Sequence, residues 1–292
     1  MSSPERPVAP GTPPRRRGGA VAPVPRCTVA SFGYHDVADE PGGTGFQRSG
    51  ALPYRRTVAA FARDLDAIAA GGCVPELVTD LEIDRPARHV LLTFDDGGRS
   101  AVHIGDELAA RGWKGHFFIV TSLIGRRTFL DSSEIRYLRS CGHLIGSHSH
   151  THPDIFNALP RARMLDEWRV SRDVLAELLD EPCVAASVPG GDISPLVLES
   201  AGAVGLQYLF TSEPWVLPRH VGGCWILGRF IPKAWTRSAR IGALAKLQGW
   251  RRALLVRRAK VFARAALPSV YRYYVAHITR ECDQAEADGS TL

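Results

Sequence analysis

The stretch Val90-Leu91-Leu92-Thr93-Phe94-Asp95-Asp96-Gly97-Gly98 decides the reading of this chain. Its first five residues form the kind of unbroken apolar and β-branched run that belongs in a strand covered on both faces. Two glycines then turn the chain away, so a pair of carboxylates is delivered to a strand end. A second run, Leu144-Ile145-Gly146-Ser147, delivers His148, His150 and His152 at alternate positions. One carboxylate with two imidazoles is a ligand set for a divalent metal of the zinc or cobalt type, with positions left open for water and substrate. The spare carboxylate is then a general base, and the combination suits metal-assisted hydrolysis.

The residues alone leave open which two histidines serve. On an extended segment 148, 150 and 152 face one side. If the chain turns into a helix after His148, positions 148 and 152 share a face and 150 swings away.

Working outward, strands are expected at Val29 to Tyr34 and near 88–94, 115–120, 143–147, 184–188 and 206–210. Helical stretches are expected at 57–70, 99–111, 132–140, 160–180 and 195–203. Strand alternating with helix argues an α/β fold with a parallel sheet. Asp95, Asp96, His148 and Gly190 all fall just past strand ends, where barrel enzymes place their chemistry. His35 follows the first strand and borders the same region, with a structural hydrogen bond as the simpler expectation. The run Gly42-Gly43-Thr44-Gly45 lacks the spacing of a phosphate loop.

Phe94-Asp95-Asp96-Gly97 together with His148-Ser149-His150-Thr151-His152 resembles the first two motifs of the NodB-type polysaccharide deacetylases, carbohydrate esterase family four. The resemblance covers roughly residues 27–232 and implies a distorted (β/α) barrel that removes N-acetyl or O-acetyl groups from sugars. It implies Asp95 as general base, and Asp96, His148 and His152 as ligands of a divalent metal, zinc first, with cobalt, nickel or manganese as substitutes. His150 falls at a variable position of the family's His-Ser/Thr-x-x-His pattern, which leaves it a supporting role. The family's third motif, Arg-Pro-Pro-Tyr, is matched by Ser187-Val188-Pro189-Gly190-Gly191-Asp192. No arginine is present there to pair with the base, and Gly190 stands where the tyrosine N–H would help hold an oxyanion. A glycine still has an N–H, so Gly190 or Gly191 retains an oxyanion contribution, and Gly190 is a candidate catalytic residue. Asp192 is expected to cap the helix begun by Ser194-Pro195, with contact to the site as the alternative. The family's late Leu-x-His has no match, since His220 and His277 follow no convincing strand. Trp215 lines a sugar site or packs in the core. These departures keep two other readings in view: removal of formyl or another acyl group from a sugar amine, and a non-catalytic glycan- or partner-binding module.

Three regions are expected: a Pro- and Arg-rich tail at 1–26 without order, the deacetylase-like domain at 27–232, and a basic extension at 233–292. From Arg229 to Arg280 there are thirteen Lys and Arg and no acidic residue. A helix is expected from Ser238 to Ala266, stopped by Pro268, with Ile241, Leu244, Leu247, Leu254, Val261 and Ala265 as an apolar stripe. Over 238–267 such a helix either packs on the barrel or meets an anionic membrane surface or a glycosyltransferase, which would suit a lipid-linked sugar precursor. No nucleic-acid motif accompanies the charge. Six cysteines lie apart with no Cys-x-x-Cys pair, which suggests neither a zinc knuckle nor a redox motif and fits free thiols. No signal peptide or stretch of ~20 apolar residues is evident, so a cytoplasmic protein is expected, peripheral to the inner membrane face if attached at all.

Overall fold

The computed structural model describes residues 26–40 and 42–287, with side chains as far as 278. The expected tail at 1–26 lies outside these residues except for Arg26. The acidic C-terminal residues are likewise outside the described side chains.

Eight strands form one curled sheet in the order β1-β2-β3-β4-β5-β6-β8-β7. The strands are β1 (Thr28–Tyr34), β2 (Arg88–Phe94), β3 (His116–Ile119), β4 (Leu144–Ser147), β5 (Ala185–Ser187), β6 (Tyr208–Phe210), β7 (Arg219–Val221) and β8 (Cys224–Leu227). All neighbours are parallel except the β7–β8 pair. Past β8 the chain returns to β1, where Phe230 bridges Phe32. Gly33 N–H donates to the Phe230 carbonyl at 3.0 Å and Phe230 N–H to the Ser31 carbonyl at 2.9 Å. This bridge draws the two sides of the sheet together into a distorted barrel.

The first five helices are α1 (Val58–Ala69), α2 (Ser100–Ala110), α3 (Ser132–Ser140), α4 (Arg161–Leu179) and α5 (Pro195–Ala203). Three of them begin at a side-chain cap. Thr57 and Ser194 cap α1 and α5 through their hydroxyls, and Asp131 with Glu134 forms a reciprocal capping box on α3. Short apolar strands sit between these helices because both faces of a parallel sheet must be covered. Phe32, Leu92, Phe94, Ile104 and Leu138 lie in one buried cluster.

The second half holds two strands that carry no sequence signal and divides a helix that the sequence reads as one. The strands β7 and β8 were not read in advance, because three or four residues around a Gly222-Gly223 turn give too little periodicity to register. The single helix from Ser238 to Ala266 is two: α6 (Ser238–Ala245) and α7 (Trp250–Ala266). Leu247 and Gly249 adopt left-handed φ values of 62° and 87° between them. The break turns Trp250 into the core, where its indole N–H donates to the Leu244 carbonyl at 2.8 Å and its ring lies 6.1 Å from Phe32. Ile241, Leu244 and Ala245 are buried in the same cluster as β1 and β2. Pro268, expected as a stop, opens a further helix, α8 (Pro268–Ala287). Proline is tolerated in a first turn, whose N–H groups have no partner within the helix.

Candidate active site

The end of β2 builds half of the site. Asp95 continues the strand, its N–H donating to the Tyr34 carbonyl at 2.9 Å. Asp96 follows at φ 77°, a left-handed value rare for a residue with a side chain. Strand alternation alone would send the two carboxylates to opposite faces. The left-handed turn at Asp96 and Gly97 lets both line one cavity.

The end of β4 builds the other half. His148 N–H still pairs with the Ile119 carbonyl at 2.8 Å. Then Ser149 and His152 take positive φ values of 66° and 53°. The chain is neither extended nor helical after His148; the segment is an irregular loop held by Glu167 from α4. That buried carboxylate accepts from His150 N–H (2.9 Å), Thr151 N–H (2.8 Å) and Thr151 Oγ1 (2.6 Å). Ser149 Oγ accepts from His152 N–H at 3.1 Å. The result is nevertheless the 148/152 pairing: His148 and His152 rings lie 5.0 Å apart, while His150 turns to Thr121, its Nδ1 2.9 Å from the hydroxyl.

The Oδ1 atom of Asp96 is 3.3 Å from His148 Nε2 and 3.6 Å from His152 Nε2. One ligand atom from each of the three residues falls within 4.8 Å of the others. Asp96 Oδ1 is buried and has no hydrogen-bond partner, as expected for an atom reserved for an ion. His148 Nδ1 faces the Ser187 carbonyl at 2.9 Å, which requires a proton on Nδ1 and leaves the Nε2 lone pair aimed at the cluster. Burial pushes His152 down to about 3, against the pull of Asp96, so it is neutral and available as a ligand. Arg48, whose Nη2 is 3.3 Å from His152 Nδ1, opposes coordination through Nε2 and must give way for it. Burial would raise the Asp96 carboxyl, but the surrounding histidines hold it well below its ordinary range. In this donor set the three side chains fit a divalent metal.

Asp95 has a partner that the sequence reading missed. Arg229, wholly buried just beyond β8, donates to Asp95 Oδ1 at 2.8 Å and Oδ2 at 2.9 Å. Its remaining donors reach the Thr93 hydroxyl, the Ser187 hydroxyl and the Thr211 carbonyl at 2.8, 2.7 and 3.0 Å. Burial would raise the Asp95 carboxyl, yet Arg229 and His148 outweigh it and hold the group below its usual value. The arginine absent from the third motif thus enters from another strand. The signal for it in the sequence is Leu227-Gly228-Arg229, an arginine leaving a short apolar run. Gly228 permits the approach, since a Cβ there would meet the Glu213 and Trp215 carbonyls at 2.4 and 2.5 Å.

Asp95, Asp96, His148, His152, Gly190 and His35 line one cavity of about 390 Å³. Gly190 holds φ 64°, and Gly191 N–H donates to the Val188 carbonyl at 3.1 Å. The simpler expectation for His35 fails: its Nδ1 is buried without a hydrogen-bond partner, and its ring lies 4.8 Å from Tyr54. Asp192 is not the cap of α5, a place Ser194 takes. It accepts from Arg257 (2.8 Å), Arg264 (2.7 Å) and Tyr271 (3.0 Å), tying α7 and α8 to the barrel. Trp215 stays outside the cavity, half-buried on an apolar cluster and covered by Arg219 at 4.0 Å. An aromatic that went unread, Trp235, stands at the cavity mouth.

Comparison with known proteins agrees with this geometry. The family model "Polysaccharide deacetylase" matches residues 82–209. No curated protein sequence matches. Among solved structures, the polysaccharide deacetylase BC0361 from Bacillus cereus is 17% identical with a TM-score of 0.65, the match covering 76% of this chain and 70% of that one. IcaB from Ammonifex degensii is 20% identical, TM-score 0.64, over 76% of this chain and 98% of that one. The Streptococcus pyogenes deacetylase PplD, solved with acetate, is 17% identical, TM-score 0.59, over 71% and 94%. Over residues 82–209 the chain is thus similar to the polysaccharide deacetylases, and its fold is that of the NodB-type deacetylase structures it matches.

Proposed function

We propose that the protein is a metal-dependent hydrolase that removes acetyl groups from N-acetylated or O-acetylated sugars of a polysaccharide or its lipid-linked precursor. The observation that carries this reading is one cavity holding a buried Asp-His-His donor set beside a second carboxylate gripped by a buried arginine. Asp96, His148 and His152 would hold the metal, zinc first, which when bound acidifies water and polarises an acyl oxygen.

The chain's own residues account for the rest. Asp95, kept ionised by Arg229, accepts the proton of the attacking water as general base. Two donors on Asp95 fix the plane of its carboxylate and leave its other lone pairs facing the cavity. Gly190 N–H would receive the developing oxyanion. Trp235 gives the sugar an exposed aromatic face at the mouth. The binding-module alternative rests on the missing arginine and the missing late histidine; Arg229 supplies the first of these.

The metal assignment is tested by zinc titration of chelator-stripped protein. One tightly held zinc per chain, lost in His152→Ala while the circular dichroism spectrum stays unchanged, is the expected result. Equal zinc binding by His152→Ala and the wild type would contradict the ligand set.

A further inference from the structure

The cavity extends well beyond the space that a metal and one acetyl group occupy. It runs between the barrel and α7, where Lys233, Arg240 and Lys260 line it. None of these three has an acidic partner among the described residues. Arg257 and Arg264, on the same wall, are already matched by Asp192 and Glu213. The extension therefore adds unpaired positive charge to a cavity whose lining also holds the carboxylates of Asp95 and Asp96.

Lys233 is deliberately positioned. The buried Arg56 guanidinium donates to the carbonyls of Lys233 (3.0 Å), Ala234 (2.9 Å) and Thr236 (3.1 Å), while Asp64 pairs with it at 2.8 Å. This clamp fixes the loop that also carries Trp235, 73% exposed. The Lys233 ammonium lies over the Tyr54 ring, 3.0 Å from its centroid. Burial, joined by repulsion from Lys260, Arg264 and Arg257, pushes Lys233 down to about 7. Cations crowded this way destabilise one another until an anion enters.

We infer that this extension of the cavity is an anion subsite, in which Lys233, Lys260 and Arg240 hold the phosphate or diphosphate of a saccharide whose acetylated ring lies at Asp95 and Asp96. Several separate point charges suit a phosphate with two or more negative charges better than a lone carboxylate, for which one arginine fork is enough. The same chemistry is offered by a free sugar phosphate and by a sugar carried on a lipid diphosphate. The inference deepens the deacetylase reading by naming the substrate class.

The test compares binding of N-acetylglucosamine 1-phosphate, N-acetylmuramic acid and N-acetylglucosamine to the zinc-loaded protein by calorimetry. The phosphate should bind roughly tenfold or more tighter than the neutral sugar, the scale of one charge-assisted contact. In Lys233→Gln/Lys260→Gln that advantage should vanish with neutral-sugar affinity unchanged; a phosphate–zinc contact would survive there, so the difference isolates the lysines. Lys260→Gln alone, at an exposed position, gives the same comparison without disturbing the Tyr54 contact. No preference in the wild type, an advantage that persists in the double variant, or muramic acid binding as tightly as the phosphate would each overturn the proposal. Relative kcat/KM for the free sugar phosphate and a lipid diphosphate-linked acetyl sugar then distinguishes the two sources. Absence of acetate release from every sugar would refute the deacetylase reading and leave the binding result standing.

Discussion

At the scale of single residues, Arg229 carries the greatest consequence. It spends all five of its donors on four partners and is wholly buried. Removing one member of a buried pair leaves an uncompensated charge at a cost of about 3–5 kcal/mol, so Arg229→Ala should be poorly folded and uninformative. Arg229→Lys keeps the charge and loses the fork. We predict that it retains zinc and loses roughly 10- to 100-fold in kcat, because Asp95 is no longer held in one plane. Unchanged kcat in a zinc-loaded Arg229→Lys would show that the fork is structural only. Asp95, Asp96 and the histidines at 148, 150 and 152 were legible because two strand ends carry them close together in sequence, while the choice of His148 and His152 and the role of each residue came from the family resemblance. Arg229 and Glu167 were not named, since each acts on residues far away in sequence and only the fold reveals the meeting.

At the scale of elements, the sheet is pinned by a neutral histidine. His116 on β3 is fully buried, its Nδ1 2.8 Å from the Leu92 carbonyl and its Nε2 accepting from Val78 N–H at 2.9 Å. Burial lowers it from 6.5 to about 4. The unfolded chain takes up this proton near pH 6.5 and the folded chain resists it until about pH 4. The contribution to stability is therefore complete above pH 6.5 and is lost as pH falls toward 4. That shift corresponds to about 3 kcal/mol. Urea unfolding of His116→Gln should show a shallower loss of stability between pH 6.5 and 4.5 than the wild type. Parallel slopes would contradict the assignment. The first five helices and six strands were legible because parallel βα units repeat a long periodic helix against a short apolar run. The break between α6 and α7 was not, since Lys246-Leu247-Gln248-Gly249 interrupts a helical pattern with one glycine, and the reason for the break is the burial of Trp250.

At the scale of the whole molecule, the basic extension faces two ways. Arg257 and Arg264 turn inward to Asp192 and Glu213. Leu255, Phe262 and Tyr273 face outward, 67%, 75% and 76% exposed, beside the exposed Arg251, Arg252 and Arg258. The structure divides the basic residues, because Asp192 and Glu213 on the barrel recruit two of them. Leu255 and Phe262 are seven residues apart and share one helix face. Among the described residues no helix is long and apolar enough to cross a membrane. We propose that this apolar ridge with its arginine border rests on an anionic membrane surface. Sedimentation with vesicles containing phosphatidylglycerol should capture the wild type and release Leu255→Asp/Phe262→Asp. Equal capture of both would assign the ridge another use.

The central claim is that one cavity joins a metal held by Asp96, His148 and His152 to a base, Asp95, for deacetylation of a sugar. Its most direct test is acetate release from N-acetylated and O-acetylated sugars, free, phosphorylated and lipid-linked, by zinc-loaded wild type beside zinc-loaded Asp95→Asn. The account predicts release by the wild type and a loss of about 10²–10⁴-fold in Asp95→Asn with zinc still bound. Undiminished release by Asp95→Asn, or none by the zinc-loaded wild type from any sugar, would contradict it.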